Sequence, residues 1–411
     1  MKRIDTIMLE NIEYSDYKKR EDIHGTVLYP AVMIAPIQNE VLTELIQKNK
    51  ITSVFDPFHG SGTALYEAME IDSNLHLVGC DINPLANLIT RVKLDGVSKN
   101  IKDSLTLLIK HINNPGVVET IKFPNIEKWF RKDIIETLSI IKAAILQIDN
   151  DNDRRFFWIM LCDCIRKYSN TRSSTYKLYK KESEKIERIE NNLIKDYIKA
   201  IEQNFKKYEK CTENYILYKR DVLGLLKELP SRIFDISISS PPYGDNATTV
   251  PYGQFSMLDL YIIDKRDLEL EGWELDNYSI IDRMSLGGNK KETKLGEFEK
   301  GLIKPYLDKI SIEKQEKVIR FFNDYFVWLE GLCKVTDKFI VLTLGNRTVD
   351  RIKINLTEIT QKYLESREFK NIEFAEREIP NKRTPKVTSM VDLKPVDSMT
   401  KEYIIVHERR K

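Results

Sequence analysis

Ser239-Ser240-Pro241-Pro242-Tyr243-Gly244 is the stretch on which the reading of this chain turns. It follows Phe234 to Ile238, an apolar run of buried-strand length, and two prolines and a glycine stop that strand at once. In an α/β sheet, ligands bind outside the carboxyl ends of the strands. The turn would therefore present one hydroxyl, fixed backbone carbonyls and an aromatic ring to a cleft, a set of groups suited to recognising an amine.

Upstream, Ile51 to Phe55 reads as a short strand, and Asp56-Pro57-Phe58-His59-Gly60-Ser61-Gly62-Thr63 as a glycine turn opening a helix from Ala64 to Ile71. The glycines let backbone approach a ligand closely, and the helix start offers free N–H donors. The Lys-Ser/Thr pair of a phosphate loop is absent, and so is the GxGxxG dinucleotide pattern. A single GxG also fits a generic strand-to-helix turn. The next segment favours a ligand: Leu75 to Cys80 reads as a second strand and ends in Asp81-Ile82-Asn83-Pro84. A carboxylate about twenty residues after such a turn is placed to grip a ribose diol. The two segments together indicate a nucleoside cofactor. Before them, His24-Gly25-Thr26-Val27-Leu28-Tyr29-Pro30-Ala31 is a turn-rich approach to a helix from Ile37 to Ile46.

With 411 residues, 42% of them hydrophobic, the chain can bury a large core in two or three structural units. Its 65 basic and 63 acidic residues nearly cancel, so a nucleic-acid surface has to be a local patch. No apolar run is long enough to span a bilayer, and the mixed, charged start is unlike a signal peptide; a cytoplasmic protein without membrane contact is expected. Cys80, Cys162, Cys164, Cys211 and Cys333 form no CxxC pair or zinc spacing, which points to reduced thiols and no metal.

Residues 98–214 change character and read as a helical insertion between a first part, 1–97, and a second, 215–411. Ile134, Leu138, Ile141, Ile145 and Ile148 recur at helical spacing, Phe156 to Leu161 continues an apolar helix, and a third long helix is read from Ile186 to Tyr208. Between them, Arg166, Lys167, Arg172, Lys177, Lys180 and Lys181 alternate with tyrosines and hydroxyls and no acidic residue, side chains suited to phosphates and base stacking. A solvated basic loop is the competing reading. After the insertion come a strand Tyr215 to Tyr218, Asp221, a helix Val222 to Leu229 and the strand before Ser240. Residues 245–307 show no clear period and read as a loop-rich excursion over the cleft. A helix (Lys317 to Cys333), a strand (Phe339 to Leu344), a helix (Leu356 to Ser366) and two strand-like runs (Ile372 to Ile379, Glu402 to Val406) complete the chain.

The ordered set Tyr29-Pro30-Ala31, Asp56 to Thr63, Asp81-Ile82-Asn83-Pro84, Asp221 and Ser240-Pro241-Pro242-Tyr243 resembles the S-adenosylmethionine-dependent DNA amino-methyltransferases of restriction-modification type. Gly345-Asn346-Arg347-Thr348 and Ile379-Pro380-Asn381-Lys382-Arg383 are similar to family loops. The resemblance covers roughly residues 24–96 and 215–408 and matches the insertion less distinctly. It implies an α/β fold, a Rossmann-like, mainly parallel seven-stranded methyltransferase sheet with a reversed last strand, here carrying a helical insertion. It also implies that Phe58, Gly60 and Gly62 wrap the amino-acid part of S-adenosylmethionine, Asp81 its ribose, Asp221 its adenine amine, and Tyr29-Pro30 its methionine end. Asp56, Thr63 and Ile82 would contribute from the same turns. Double-stranded DNA would be the substrate and a cognate restriction endonuclease a partner.

The chemistry of the turn can be derived independently. The lone pair of an exocyclic base amine is delocalised into the ring, so an enzyme must favour the pyramidal form in which it is free. The Ser240 hydroxyl and Pro241 carbonyl can each accept one amine hydrogen, with Pro242 fixing the turn and Tyr243 stacking on the flipped base. Carbon-5 cytosine methylation needs a Pro-Cys nucleophile and zinc deamination a His/Cys cluster, and both are missing. In the family a leading serine is commoner in N4-cytosine enzymes and aspartate in N6-adenine enzymes, so cytosine is preferred over adenine. An RNA or protein amino-methyltransferase and a non-catalytic nucleic-acid-binding protein are the readings from other classes.

Overall fold

The structure, a computed structural model, describes residues 9, 13–14, 16–244, 250–270, 277–288, 295–379, 387–391, 394–397 and 400–410. Seven strands form its sheet: β1 (Ser53–Asp56), β2 (His76–Cys80), β3 (Tyr215–Tyr218), β4 (Phe234–Ser239), β5 (Thr336–Gly345), β6 (Phe369–Glu378) and β7 (Lys401–Arg409). Their order is 3-2-1-4-5-7-6. Strands β1 to β5 pair in parallel, and β7 runs antiparallel to both its neighbours. The expected α/β sheet with one reversed strand is thus present.

The central strands β1 and β4 are buried along their whole length, because helices cover both faces. Alternate residues of each strand feed two separate cores. Val54, Leu77, Val341 and Ile404 face a core shared with the helices Ala35–Lys48, Thr63–Ile71 and Pro84–Asp95. Phe55, Val78, Leu342 and Ile405 face the other, shared with the helices Val222–Glu228, Ile312–Val335 and Leu356–Ser366. Residues 98–214 add their buried side chains to the first core alone, through the helices Ile101–Asn113, Lys132–Ile145, Asp151–Tyr168 and Leu193–Asn204. Among the described residues, no helix is long and apolar enough to cross a membrane.

Two expectations are corrected. The third long helix is broken: Ser183–Glu187 and Leu193–Asn204 are separate, and Phe205–Tyr208 is a 3-10 turn. Arg131 explains the break, since its Nη1 donates to the carbonyls of Ile186, Glu187 and Ile189 at 3.1, 3.3 and 2.8 Å and so takes acceptors a continuous helix would need. The stretch 245–307 holds helices at Tyr252–Ile262 and Glu297–Leu307. The first has no readable period because it is buried on nearly every side, from Gly253 and Phe255 to Leu260 and Ile262. Residues 245–249 and 380–383, the latter within a family-like loop, lie outside the described residues.

One ion pair fastens this excursion to the insertion. Arg154, 3% exposed, donates from Nε and Nη2 to Asp267, 2% exposed, at 2.8–3.1 Å, and Trp158 Nε1 donates to Asp267 Oδ2 at 2.8 Å. Removing Asp267 leaves the buried Arg154 guanidinium with the largely exposed Asp151 as its counter-charge. Asp267→Ala should therefore lower the unfolding free energy by roughly 3–5 kcal/mol, read from urea denaturation. A loss within error would show that the guanidinium finds water instead.

Candidate active site

The order of strands reverses between β1 and β4, and a cleft opens at their carboxyl ends. Most of the residues singled out from the sequence line it. Tyr29 and Pro30 come from the amino-terminal segment, Phe58, Gly60 and Thr63 from the turn after β1, and Asp81 and Ile82 from the end of β2. Asp221 follows β3, and Ser240 and Pro242 follow β4. Asp56, Gly62, Pro241 and Tyr243 are not on its wall.

The glycine turn is shaped by close approach. Gly62 has φ 75°, and a Cβ there would lie 2.6 Å from Thr90 Cγ2 on the helix Pro84–Asp95. Gly60 has φ 51°, and its N–H donates to Asp81 Oδ2 at 3.0 Å. The Asn83 N–H donates to Asp81 Oδ1 at 2.8 Å, so each carboxylate oxygen is held by one neighbouring turn and keeps a lone pair for a ligand. Burial raises the pKa of this carboxyl. Burial also pushes Asp56 up to about 7; its Oδ1 accepts from Phe58 N at 3.0 Å and Ser239 Oγ at 2.7 Å, while Oδ2 has no partner. His59 lines the cleft, but burial lowers its pKa and favours the neutral ring.

Asn83 and Tyr252 are functional candidates that sequence reasoning missed. Asn83 Nδ2 donates to Tyr29 Oη at 3.2 Å and Ser256 Oγ at 2.8 Å, tying the amino-terminal segment, β2 and the helix Tyr252–Ile262 together. Tyr252 lines the cleft with its ring centroid 5.8 Å from that of Tyr29. Asn83 stands inside the quoted Asp81–Pro84 turn, which was signal enough to notice it; Tyr252 had none.

At the turn after β4 the Ser240 and Tyr243 hydroxyls are 3.0 Å apart, and Tyr243 Oη lies 3.4 Å from the Thr343 carbonyl on β5, to which it can donate. A phenol has one hydrogen to give. With that hydrogen on Thr343, Ser240 is the donor to Tyr243 and its lone pairs remain available. The Tyr243 ring packs against the second core beside Val318, Phe321 and Phe322. Asp221 caps the helix Val222–Glu228, accepting from Gly224 N at 2.8 Å.

The basic run divides in two. Arg166 donates to the Thr175 carbonyl with its guanidinium 4.8 Å from the Phe255 ring centroid, Lys167 pairs with Asp196, and the half-buried Lys181 donates to the Ser169 carbonyl at 2.8 Å. Those three are engaged by the protein itself. Arg172 and Lys180 are exposed and Lys177 partly so, on a hairpin closed by a Thr171–Lys180 bridge. Tyr176 of this hairpin meets Phe255 edge-on at 5.8 Å, and Phe255 is one helical turn from Tyr252. The hairpin therefore stands beside the cleft. Among the described residues, no group of three or more His, Cys, Asp or Glu side chains could hold a metal ion.

Comparison with known proteins gives the family. The chain is 30% identical over 404 residues to the type II methyltransferase M.MvaI of Kocuria varians, an alignment covering 90% of this chain and 87% of that protein. The chain belongs to the type II methyltransferases. The motif resemblance and this near full-length relative agree. No family model matches. The rRNA methyltransferase aviRa of Streptomyces viridochromogenes aligns over 92% of this methyltransferase and 86% of its own chain, at 10% identity and a TM-score of 0.27, too weak a likeness to carry argument.

Proposed function

We propose that this methyltransferase moves the methyl group of S-adenosylmethionine to the exocyclic amine of a base flipped out of double-stranded DNA, with cytosine N4 preferred over adenine N6. The observation that carries this reading is Ser240: it stands on the wall of the cleft that holds the glycine turn and Asp81, with its hydroxyl 3.0 Å from that of Tyr243, which can accept its hydrogen. The cleft suits a sulfonium nucleoside. Asp81 offers acceptors for a ribose diol, Asp221 one for an adenine amine, and Phe58 and Ile82 apolar wall. Such a cofactor supplies an electrophilic methyl group.

The protein's own part is to hold and orient. Ser240 Oγ and the Pro241 carbonyl each accept one hydrogen of the target amine, which frees the nitrogen lone pair and points it along the remaining direction. No strong base is required, because the amine becomes acidic as it is methylated. The preference for cytosine rests on the leading serine of the motif. Stacking of the Tyr243 ring on the base requires that ring to leave the Val318–Phe322 wall, and its hydroxyl has a separate task, keeping Ser240 an acceptor. Residues 98–214 and the excursion 245–307 would form the DNA side of the cleft, with Arg172, Lys177 and Lys180 on phosphates. Arg166, Lys167 and Lys181 support that hairpin. A cytoplasmic modification enzyme paired with a cognate restriction endonuclease is the setting these features suit.

Digesting treated DNA to nucleosides should yield N4-methylcytosine; N6-methyladenine would move the target to adenine, and methylation confined to RNA or protein would overturn the reading. Tyr243→Phe keeps a stacking ring and loses the hydroxyl, so it should slow turnover by about 3- to 10-fold at unchanged DNA affinity. Parental turnover in this variant, with loss in Tyr243→Ala, would assign the residue to stacking alone. Neutralising Arg172, Lys177 and Lys180 together should weaken binding to every duplex and flatten the salt dependence by up to about 0.9 log units for each phosphate no longer neutralised. An unchanged slope in affinity titrations would return the hairpin to a solvated loop.

A further inference from the structure

Behind the glycine turn lies a buried polar chain that the reaction does not use. Lys93, on the helix Pro84–Asp95, is 2% exposed, and its ammonium donates to the Ser61 carbonyl at 2.7 Å. It is also 3.1 Å from Nδ1 of His24, itself buried. His24 Nε2 is 2.8 Å from Glu67 Oε1, and Asn39 Nδ2 donates to Glu67 Oε2 at 2.7 Å. An ammonium can only donate. His24 Nδ1 is then the acceptor, its ring hydrogen sits on Nε2, and that hydrogen goes to the Glu67 carboxylate. With Lys93 charged and Glu67 ionised, the direction of every bond follows: Asn39 and His24 donate to Glu67, and Lys93 donates to His24 and Ser61.

The chain ends on the Ser61 carbonyl, between the turn's two left-handed glycines, Gly60 and Gly62. It joins the helices Ala35–Lys48, Thr63–Ile71 and Pro84–Asp95 and the turn Ile23–Gly25 to that carbonyl. The neighbouring Gly60 carbonyl is held as well, by Thr90 Oγ1 at 3.0 Å. Two successive carbonyls of the turn are thus held by the helix Pro84–Asp95, while Gly60 and Ser61 line the cleft. A buried lysine is costly unless its charge is matched and its hydrogens are bonded; burial lowers the Lys93 pKa to about 7 and raises that of Glu67 to about 7, while two of the ammonium hydrogens go to Ser61 and His24. Packing alone would be served by an apolar side chain here.

We propose that Lys93 is a positioning residue that locks the glycine turn in its cofactor-binding shape, with His24 and Glu67 holding its ammonium on the Ser61 carbonyl. This rests on the reading of the cleft as the S-adenosylmethionine site. Charged groups facing the ammonium are Lys19 and Asp22 from the amino-terminal turns and Glu67 from the helix Thr63–Ile71. Glu67 is faced in turn by Asp22 and Glu70.

The test uses the full chain, with calorimetric titration of S-adenosylmethionine and steady-state methylation of DNA. Lys93→Met should raise both the Kd and the KM for the cofactor by about tenfold or more, the loss expected when a charge-assisted hydrogen bond is removed. The kcat at saturating cofactor and the KM for DNA should stay within about twofold, the spread typical of sites without a direct contact. Lowered thermal stability with unchanged cofactor Kd would make Lys93 structural only and overturn the proposal. If Lys93→Met does not fold, Glu67→Gln keeps the shape and removes the counter-charge; cofactor binding should then fade at lower pH than in the parent, and an identical pH profile would overturn the lock. Failure of the parent to bind S-adenosylmethionine would sink the cleft assignment itself, whereas parental binding with an indifferent Lys93→Met sinks only the lock.

Discussion

A single buried hydrogen bond, from Ser239 Oγ to Asp56 Oδ1 at 2.7 Å, joins the carboxyl ends of the two central strands. One strand leads into the glycine turn and the other into the Ser240 turn, so the bond sets the spacing between the two turns that meet in the cleft. The same Asp56 oxygen accepts from Phe58 N and bends the chain into the turn. The arrangement has an energetic cost: Asp56 is fully buried, its second oxygen has no partner, and burial lifts its pKa from 3.8 to about 7. A carboxyl raised on folding stabilises the fold most when protonated, below about 3.8, and that contribution is lost as pH rises through about 7. The surrounding sheet has to carry the difference at neutral pH.

It does so by burying strands on both faces and by spreading polar ties across distant segments. Asn83 links three of these segments, Asp267 links the insertion to the excursion, and Arg166 and Tyr176 rest on Phe255. The result is a continuous path of contacts from the exposed hairpin cations to Tyr252 on the cleft wall. Any movement of that hairpin would reach the wall through Phe255 and its helix. This is also why the basic run had to divide: Arg166, Lys167 and Lys181 are anchors, and anchors with protein partners make poor phosphate ligands.

The α/β sheet and the turns that line the cleft were legible in the sequence because their chemistry is packed into contiguous residues at strand ends. Asp56 to Thr63, Asp81 to Pro84 and Ser239 to Gly244 each carry turn, capping and ligand signals within a few positions, and apolar runs of strand length precede them. What stayed illegible depends on contacts between distant residues. The helix Tyr252–Ile262 is apolar on nearly all sides because the insertion and the amino-terminal segment cover it, so periodicity could not reveal it. The break between Glu187 and Leu193 is imposed by Arg131 from another helix's start, and nothing local announces it. The direction of the Tyr243 ring belongs with these cases, since it depends on a pocket built by the helix Ile312–Val335.

That direction bears on how a serine can do this chemistry. A free hydroxyl is both donor and acceptor, and as a donor toward the target amine it would engage the lone pair that must stay free. The ambiguity is removed when the hydroxyl's own hydrogen is committed elsewhere. Tyr243 can supply the acceptor when its one phenolic hydrogen goes to the Thr343 carbonyl, 3.4 Å away on β5, and not to Ser240. In that arrangement the polarity of Ser240 would follow from the sheet through two hydroxyls, without a charged residue. A carboxylate at the same place would accept without such support, at the expense of burying a charge beside Asp56 and Asp81, two carboxyls whose burial already raises their pKa. With two buried carboxyls already at these strand ends, a neutral acceptor is the less costly group there.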